Sequence, residues 1–278
     1  MNVSEGKKVS SQNIERLLAV MHKLRDKDKG CSWDLQQTLK TLTAYTLEEV
    51  YEVIDAIDRD DPVQLCDELG DLLFQVVFYA QIAAEEGHFT FHEVVDAITE
   101  KLLRRHPHVF PDGTLESFGA KTEITAEQVA VNWELIKNQE RKKTAAESVL
   151  DDVPLALPAL ERARKLQKRA ASLGFDWPEK SQVVSKLDEE IGELKQALTT
   201  NNNSAISHEL GDVLFTCVNL ARHLQIEPEL ILREANQRFE QRFRHVEKQA
   251  ATHGQSIETM RMKELNLLWQ NAKSILNG

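Results

Sequence analysis

The chain is poor in cysteine and aromatic residues, and it has no excess of positive charge. Among 278 residues there are three cysteines, Cys31, Cys66 and Cys217. They are odd in number, far apart and form no C-x-x-C, which excludes a disulfide framework and a thiolate zinc site and fits a reducing compartment. The formal net charge of −11 argues against a nucleic-acid polymer as partner, because such affinity comes from many cationic phosphate contacts. A small anion held through metal ions stays open. Long apolar runs are also missing. The most apolar stretch, Leu72 to Ala84, is interrupted by Gln75 and Gln81 and is too short to span a bilayer. The N-terminal stretch alternates charge with short apolar groups and contains no signal-peptide core, so a cytoplasmic protein with no membrane partner is expected.

What the chain does have is helical periodicity. Leu187, Ile191, Leu194 and Leu198 mark one face of an amphipathic helix, and Leu210, Val213, Leu214, Cys217, Leu220 and Leu224 mark the next. Leu47, Val50, Ile54 and Ile57, then Leu69, Leu72, Leu73, Val76 and Val77, do the same earlier in the chain. No run of β-type alternation stands out, so the fold class is all-α. Turns are expected at Asp60-Asp61-Pro62, Glu86-Gly87, His106-Pro107, Pro111-Asp112-Gly113, Asn201-Asn202-Asn203 and Glu227-Pro228.

The phrase ELGDLLF at residues 68–74 returns as ELGDVLF at residues 209–215, 141 positions later. At the same offset Glu48, Glu49 and Glu52 fall on Glu189, Glu190 and Glu193. After a small change of register Arg105, His108 and Val109 fall on Arg242, His245 and Val246, and later still, after one more shift, Trp133 and Lys137 fall on Trp269 and Lys273. The chain is therefore read as two tandem helical repeats, an N-terminal one over residues 1–145 and a C-terminal one over residues 146–278. The proline-bearing stretch from Asp151 to Pro158 looks like the joint. Glu52 to Glu68 and Glu193 to Glu209 both span sixteen residues, a spacing that makes the two motif helices antiparallel neighbours across a short turn.

Positions i and i+3 share a helix face. Glu190 and Glu193 then point together, as do Glu209 and Asp212, and pairing of the helices brings these four carboxylates into one place. Glu49, Glu52, Glu68 and Asp71 form a weaker counterpart in the first repeat. Such a cluster repels itself unless a cation occupies it. All the donors are hard oxygens, so magnesium is expected, or manganese in its place. Gly70 and Gly211, beside these acids, are expected to allow close helix approach. The competing reading is a solvated charged face, ordinary for one E-x-x-E but not for two pairs kept at equal spacing in both copies. A di-iron carboxylate bundle requires E-x-x-H twice. The one clear instance, Glu85 to His88, lies at a turn, and that alternative fails.

Further residues suit a nucleotide. Lys186, Lys195, Arg238 and Arg242 can supply charge for phosphate oxygens, although ion pairing along a helix is an equally good reading of the arginines. Asn236 carries a paired donor and acceptor for a base or sugar edge. Trp269 can stack on a base, or simply pack in the core. His106 and His108 are read as turn or helix-end residues.

LEEVYEVIDAI, ELGDLLFQVVFYAQ, LRRHPHVF, GFDW, ELGDVLF, VNLARHL and EANQRFEQRF together resemble the MazG family of bacterial nucleoside triphosphate pyrophosphohydrolases. The resemblance covers nearly the whole chain and is weakest before Gln12 and from Asp112 to Ala130. Within GCSWD, Ser32 stands where the family more usually has proline. The resemblance implies a duplicated all-α homodimer that hydrolyses nucleoside triphosphates to monophosphate and pyrophosphate, by water attack at the α-phosphorus, over a broad nucleotide range. It also implies a house-cleaning or nucleotide-stress role and a regulatory protein partner. Carried onto this sequence, Glu190, Glu193, Glu209 and Asp212 hold magnesium, and Glu190 and Glu193 belong to the catalytic set. Glu189 is expected to orient or deprotonate the water, against its reading as a solvated helix residue. The first repeat has Tyr45, Ile54 and Thr99 where the second has Lys186, Lys195 and Asn236, so the second repeat is expected to be the working one. The rival from another class is a non-enzymatic helical scaffold or a nucleotide-sensing regulatory protein.

Overall fold

The computed structural model describes residues 3–119, 124–142, 148–200 and 202–276. Among the described residues there are eleven α-helices and no strand, in line with the all-α expectation. The chain divides into two compact units, Met1–Glu140 and Arg141–Gly278, with the division upstream of the Asp151–Pro158 stretch.

The first unit contains α1 (Val3–Leu24), α2 (Ser32–Gln36), α3 (Thr43–Asp58), α4 (Pro62–Glu85), α5 (Phe91–Arg105) and α6 (Ala126–Lys142). The α3–α4 turn follows from its residues. Asp60 adopts a left-handed φ of 54°, which Asp tolerates. Asp61 then caps α4 by accepting from the Val63 and Gln64 N–H groups, with Pro62 opening the helix. In the second unit α8 (Lys180–Thr200) turns into α9 (Asn203–His223), and Asn202 caps α9 through the Ser204 and Ala205 N–H groups. Each pair packs as a hairpin, so both motif-bearing helices are neighbours in each unit. The second unit is completed by α7 (Ala159–Ala171), α10 (Pro228–Thr252) and α11 (Met262–Leu276). Here α7 lies against α9 and α10, and α10 packs on α11.

The core of the first unit is Met21, Leu42, Val77, Phe78 and Ile82, with Leu17, Phe74 and Phe91 packed on it. The Arg25 guanidinium lies 5.6 Å from the centre of the Phe78 ring. Its side chain also donates to the Glu85 carboxylate, to both oxygens, and to the Gln37 carbonyl, so this nearly buried cation is paired.

The 141-residue offset also holds for burial at four positions of the paired helices. Gln75, Val77, Phe78 and Ala80 of α4 are buried, and so are Thr216, Val218, Asn219 and Ala221 of α9. The residue differs at two of these positions: Gln75 against Thr216 keeps a polar group, and the other exchange does not. Where the first unit has Phe78, the second has Asn219, whose side-chain oxygen accepts from Arg222 at 3.1 and 2.6 Å. Arg222 in turn donates to Asp176, which also contacts the His223 ring at 3.0 Å. This polar chain ties the GFDW loop to the end of α9, and Gln167 adds a bond from α7 to the Phe215 carbonyl at 2.8 Å.

The packing corrects one expectation, that for the glycines, and leaves the apolar stripes partly open. The leucine stripes are covered only in part: Val77 is buried, Ile54, Leu72, Leu187, Ile191 and Leu194 are half-buried, while Leu47 is 56% exposed and Leu214 54%, and Leu69, Leu73, Val76, Leu198 and Leu210 are exposed as well. Gly70 and Gly211 do not serve a close helix approach, since a Cβ built at either one meets nothing within 4 Å among the described residues. A mid-helix glycine in open space lowers helix stability through backbone entropy. Gly211→Ala is therefore expected to raise the free energy of unfolding by about 0.5–1 kcal/mol, read from the urea midpoint; an unchanged or lower midpoint contradicts it.

Candidate metal and nucleotide site

On α8, Lys186, Glu189, Glu190 and Glu193 occupy successive turns, and on α9 Glu209 and Asp212 do the same. The hairpin brings one carboxylate oxygen each of Glu190, Glu193 and Glu209 within 4.8 Å of one another. Asp212 lies outside this group, and its carboxylate is 3.5 Å from the His208 ring one turn back. In the first unit the corresponding group is Glu49, Glu68 and Asp71, and here it is Glu52 that lies outside. The facing pair, Glu190 with Glu209 and Glu49 with Glu68, is common to both.

The second cluster is the more sequestered. Glu190 is only 6% exposed, Glu209 half-buried and Glu193 exposed. Loss of hydration, then repulsion from Glu190 and Glu209, pushes the Glu193 carboxyl above its ordinary value, with Lys186 opposing. Glu49 is pushed up likewise, by loss of hydration first and then by Asp71, Glu52, Glu68 and Glu48. Both clusters therefore hold negative charge against its own repulsion, the condition that a bound cation relieves.

Lys186 reaches into the second cluster. Its ammonium lies 2.9 Å from an oxygen of Glu189 and 2.9 Å from one of Glu190, and Glu189 first, then Glu190, raises its pKa. Lys186, expected among the phosphate-binding charges, thus forms an ion pair within its own helix, and its i, i+4 spacing to Glu190 is the sign of that pair in the sequence.

The remaining candidates sit as follows. Lys195 is exposed on α8 and Asn236 exposed on α10. Arg238 is 3.5 Å from Glu234 on its own helix, and Arg242 is half-buried. The Trp269 ring packs 5.3 Å from Phe239, which stacks on Phe243 at 5.9 Å. Helix α10, which carries Asn236 and the arginines, touches α9 as well as α11. His106 caps the end of α5, its Nδ1 2.6 Å from the Leu102 carbonyl, and its ring lies edge-on to Trp133 at 5.0 Å.

The MazG nucleotide pyrophosphohydrolase domain matches residues 37–110 and, again, residues 179–249. The chain belongs to the MazG family. Both MazG matches contain a complete α-hairpin with its acids, while Trp133 and Trp269 lie beyond them. Among MazG relatives, the nucleoside triphosphate pyrophosphohydrolase of Escherichia coli K12 is 48% identical over 264 residues, covering 94% of this chain and 97% of that protein. The nucleoside triphosphate pyrophosphohydrolase/pyrophosphatase MazG of Thermotoga maritima is 40% identical over 260 residues, covering 94% and 95%. A shorter likeness, 40% over 170 residues, links 59% of this chain to 48% of the nucleoside triphosphate pyrophosphohydrolase of Mycobacterium tuberculosis.

Proposed function

We propose that this chain is a nucleoside triphosphate pyrophosphohydrolase whose working site is the acidic cluster of the second repeat. The observation that carries the proposal is the convergence of Glu190, Glu193 and Glu209 from two helices within 4.8 Å. The donor set fits magnesium or manganese: every ligand is a carboxylate oxygen, one of them is buried, and the group repels itself without a cation. Asp212, one turn beyond Glu209, completes the set after releasing His208. A divalent ion bound there would neutralise phosphate charge and polarise the attacked phosphorus.

Glu189, exposed and hydrogen-bonded to Lys186, is the residue assigned to accept the proton of the attacking water. The water oxygen bonds to the α-phosphorus, the bond from that phosphorus to the α–β bridging oxygen breaks, and pyrophosphate leaves. Lys186, Lys195, Arg238 and Arg242 offset the charge of the phosphate chain. Asn236 is assigned to the base or sugar, and Trp269 to the base, from its seat against Phe239. Most of these residues address phosphates and few address a base, which favours a broad nucleotide range and a house-cleaning or nucleotide-stress role in the cytoplasm. Among the described residues, no helix is long and apolar enough to cross a membrane.

The exposed leucines of α3, α4, α8 and α9 support a homodimer in which a second copy covers them, because helical units of this size bury too little apolar surface alone. The test is product analysis on a panel of triphosphates. Equimolar monophosphate and pyrophosphate are expected, with release lost on chelation and restored by added magnesium or manganese. Orthophosphate as the first product, or release indifferent to chelator, rejects the proposal.

A further inference from the structure

Lys186 is tied up by one carboxylate assigned to the ion and by the one assigned to the water. Its ammonium bridges Glu189 and Glu190 at 2.9 Å each, and Glu190 is the buried member of the cluster. An oxygen engaged by an ammonium at that distance presents less negative charge to a second cation. The first repeat supplies an internal comparison. Its cluster has the same facing pair, Glu49 with Glu68, but the position matching Lys186 is Tyr45, which has no positive charge to offer.

We propose that Lys186 is an internal counter-ion that a divalent cation displaces from Glu190 and that the triphosphate then captures. The inference rests on the metal and triphosphate reading of this cluster and adds an order to it. Before the ion enters, Lys186 satisfies Glu190 and is withheld from phosphate. The entering ion takes over Glu190, and the released ammonium, half-exposed on the same helix face, seeks an anion. Ion and triphosphate thereby favour each other's binding, and the coupling is reciprocal by linkage. In the first repeat the ion binds against no such competitor, so its binding owes nothing to nucleotide by this route.

The experiment measures binding, not turnover, on the full chain carrying Glu68→Gln and Asp71→Asn, so that ion binding reports the second cluster. Manganese affinity is read by electron paramagnetic resonance, and the affinity of adenosine α,β-methylene triphosphate by calorimetry in magnesium. Lys186→Met is expected to bind manganese about tenfold tighter and the nucleotide analogue about tenfold more weakly. Lys186→Arg, which keeps the charge, should stay near the parent in both. Opposite signs in one variant are the signature, since a packing defect weakens both and a simple phosphate ligand leaves manganese unchanged. Manganese affinity unchanged or weaker in Lys186→Met overturns the proposal while leaving the site reading in place. A parent that binds no manganese, or binds it equally after Glu190→Gln with Glu193→Gln, overturns both.

Discussion

Glu193→Ala is expected to lower pyrophosphate release by at least about 100-fold, the scale of losing a group that stabilises transition-state charge, whereas Glu52→Ala leaves most of it. The two residues are matched by the 141-residue offset, yet the hairpins use them differently. Glu193 belongs to the converged group of the second unit, and Glu52 lies outside that of the first. The surroundings differ too: Lys186, Lys195 and Asn236 of the second repeat are replaced by Tyr45, Ile54 and Thr99 in the first. Glu193 is exposed, so its truncation costs little folding free energy, and lost turnover in a folded variant can be assigned to the site. Steady-state release of pyrophosphate, with circular dichroism to confirm the fold, makes the comparison. Equal losses from both substitutions would reject the division of labour between the repeats.

Phe78→Ala is expected to destabilise the first unit by about 3–5 kcal/mol, the usual cost of emptying a buried phenylalanine site. Phe78 is 0% exposed and packs with Met21, Leu42, Val77 and Ile82. Its ring also lies 5.7 Å from Phe74 and beneath the Arg25 guanidinium, so truncation opens a cavity and removes the aromatic face from a nearly buried cation. Hydrogen exchange along α4 in moderate urea reads the loss locally, without assuming that the whole chain unfolds in one step. A loss below about 1 kcal/mol would mean that the site collapses around the alanine, contrary to the close packing observed.

Much of the architecture was legible because it depends on local chemistry. Asp61 and Asn202 announce helix starts, Pro62 and Pro228 suit a first helical turn, and the equal spacing of the acids in both copies requires hairpins of equal design. The leucine stripes correctly marked helices, but periodicity shows that a face is apolar without saying how much of it is covered. Gly211 misled: a small residue beside a row of acids suggests a close approach, but among the described residues nothing lies within 4 Å of a Cβ built there. The exchange of Phe78 for Asn219 could be noted as a difference between the repeats, but its consequence could not. The Asp176–Arg222–Asn219 chain joins residues 46 apart, as Asp176 and Arg222 are, and no sequence period connects them.

The sequence by itself determined that two pairs of acids lie on adjoining helix faces, twice over, because residues per turn and the shortest turn between antiparallel helices are properties of any polypeptide backbone. Only the tertiary structure decided that Glu190, Glu193 and Glu209 converge while Asp212 turns to His208, that Glu190 is buried, and that Lys186 already occupies it. Those outcomes depend on the register between α8 and α9 and on side-chain rotamers, which are set by packing against α7 and α10 and by the balance between charge pairing and hydration. A one-turn change in that register would keep every motif and dissolve the cluster.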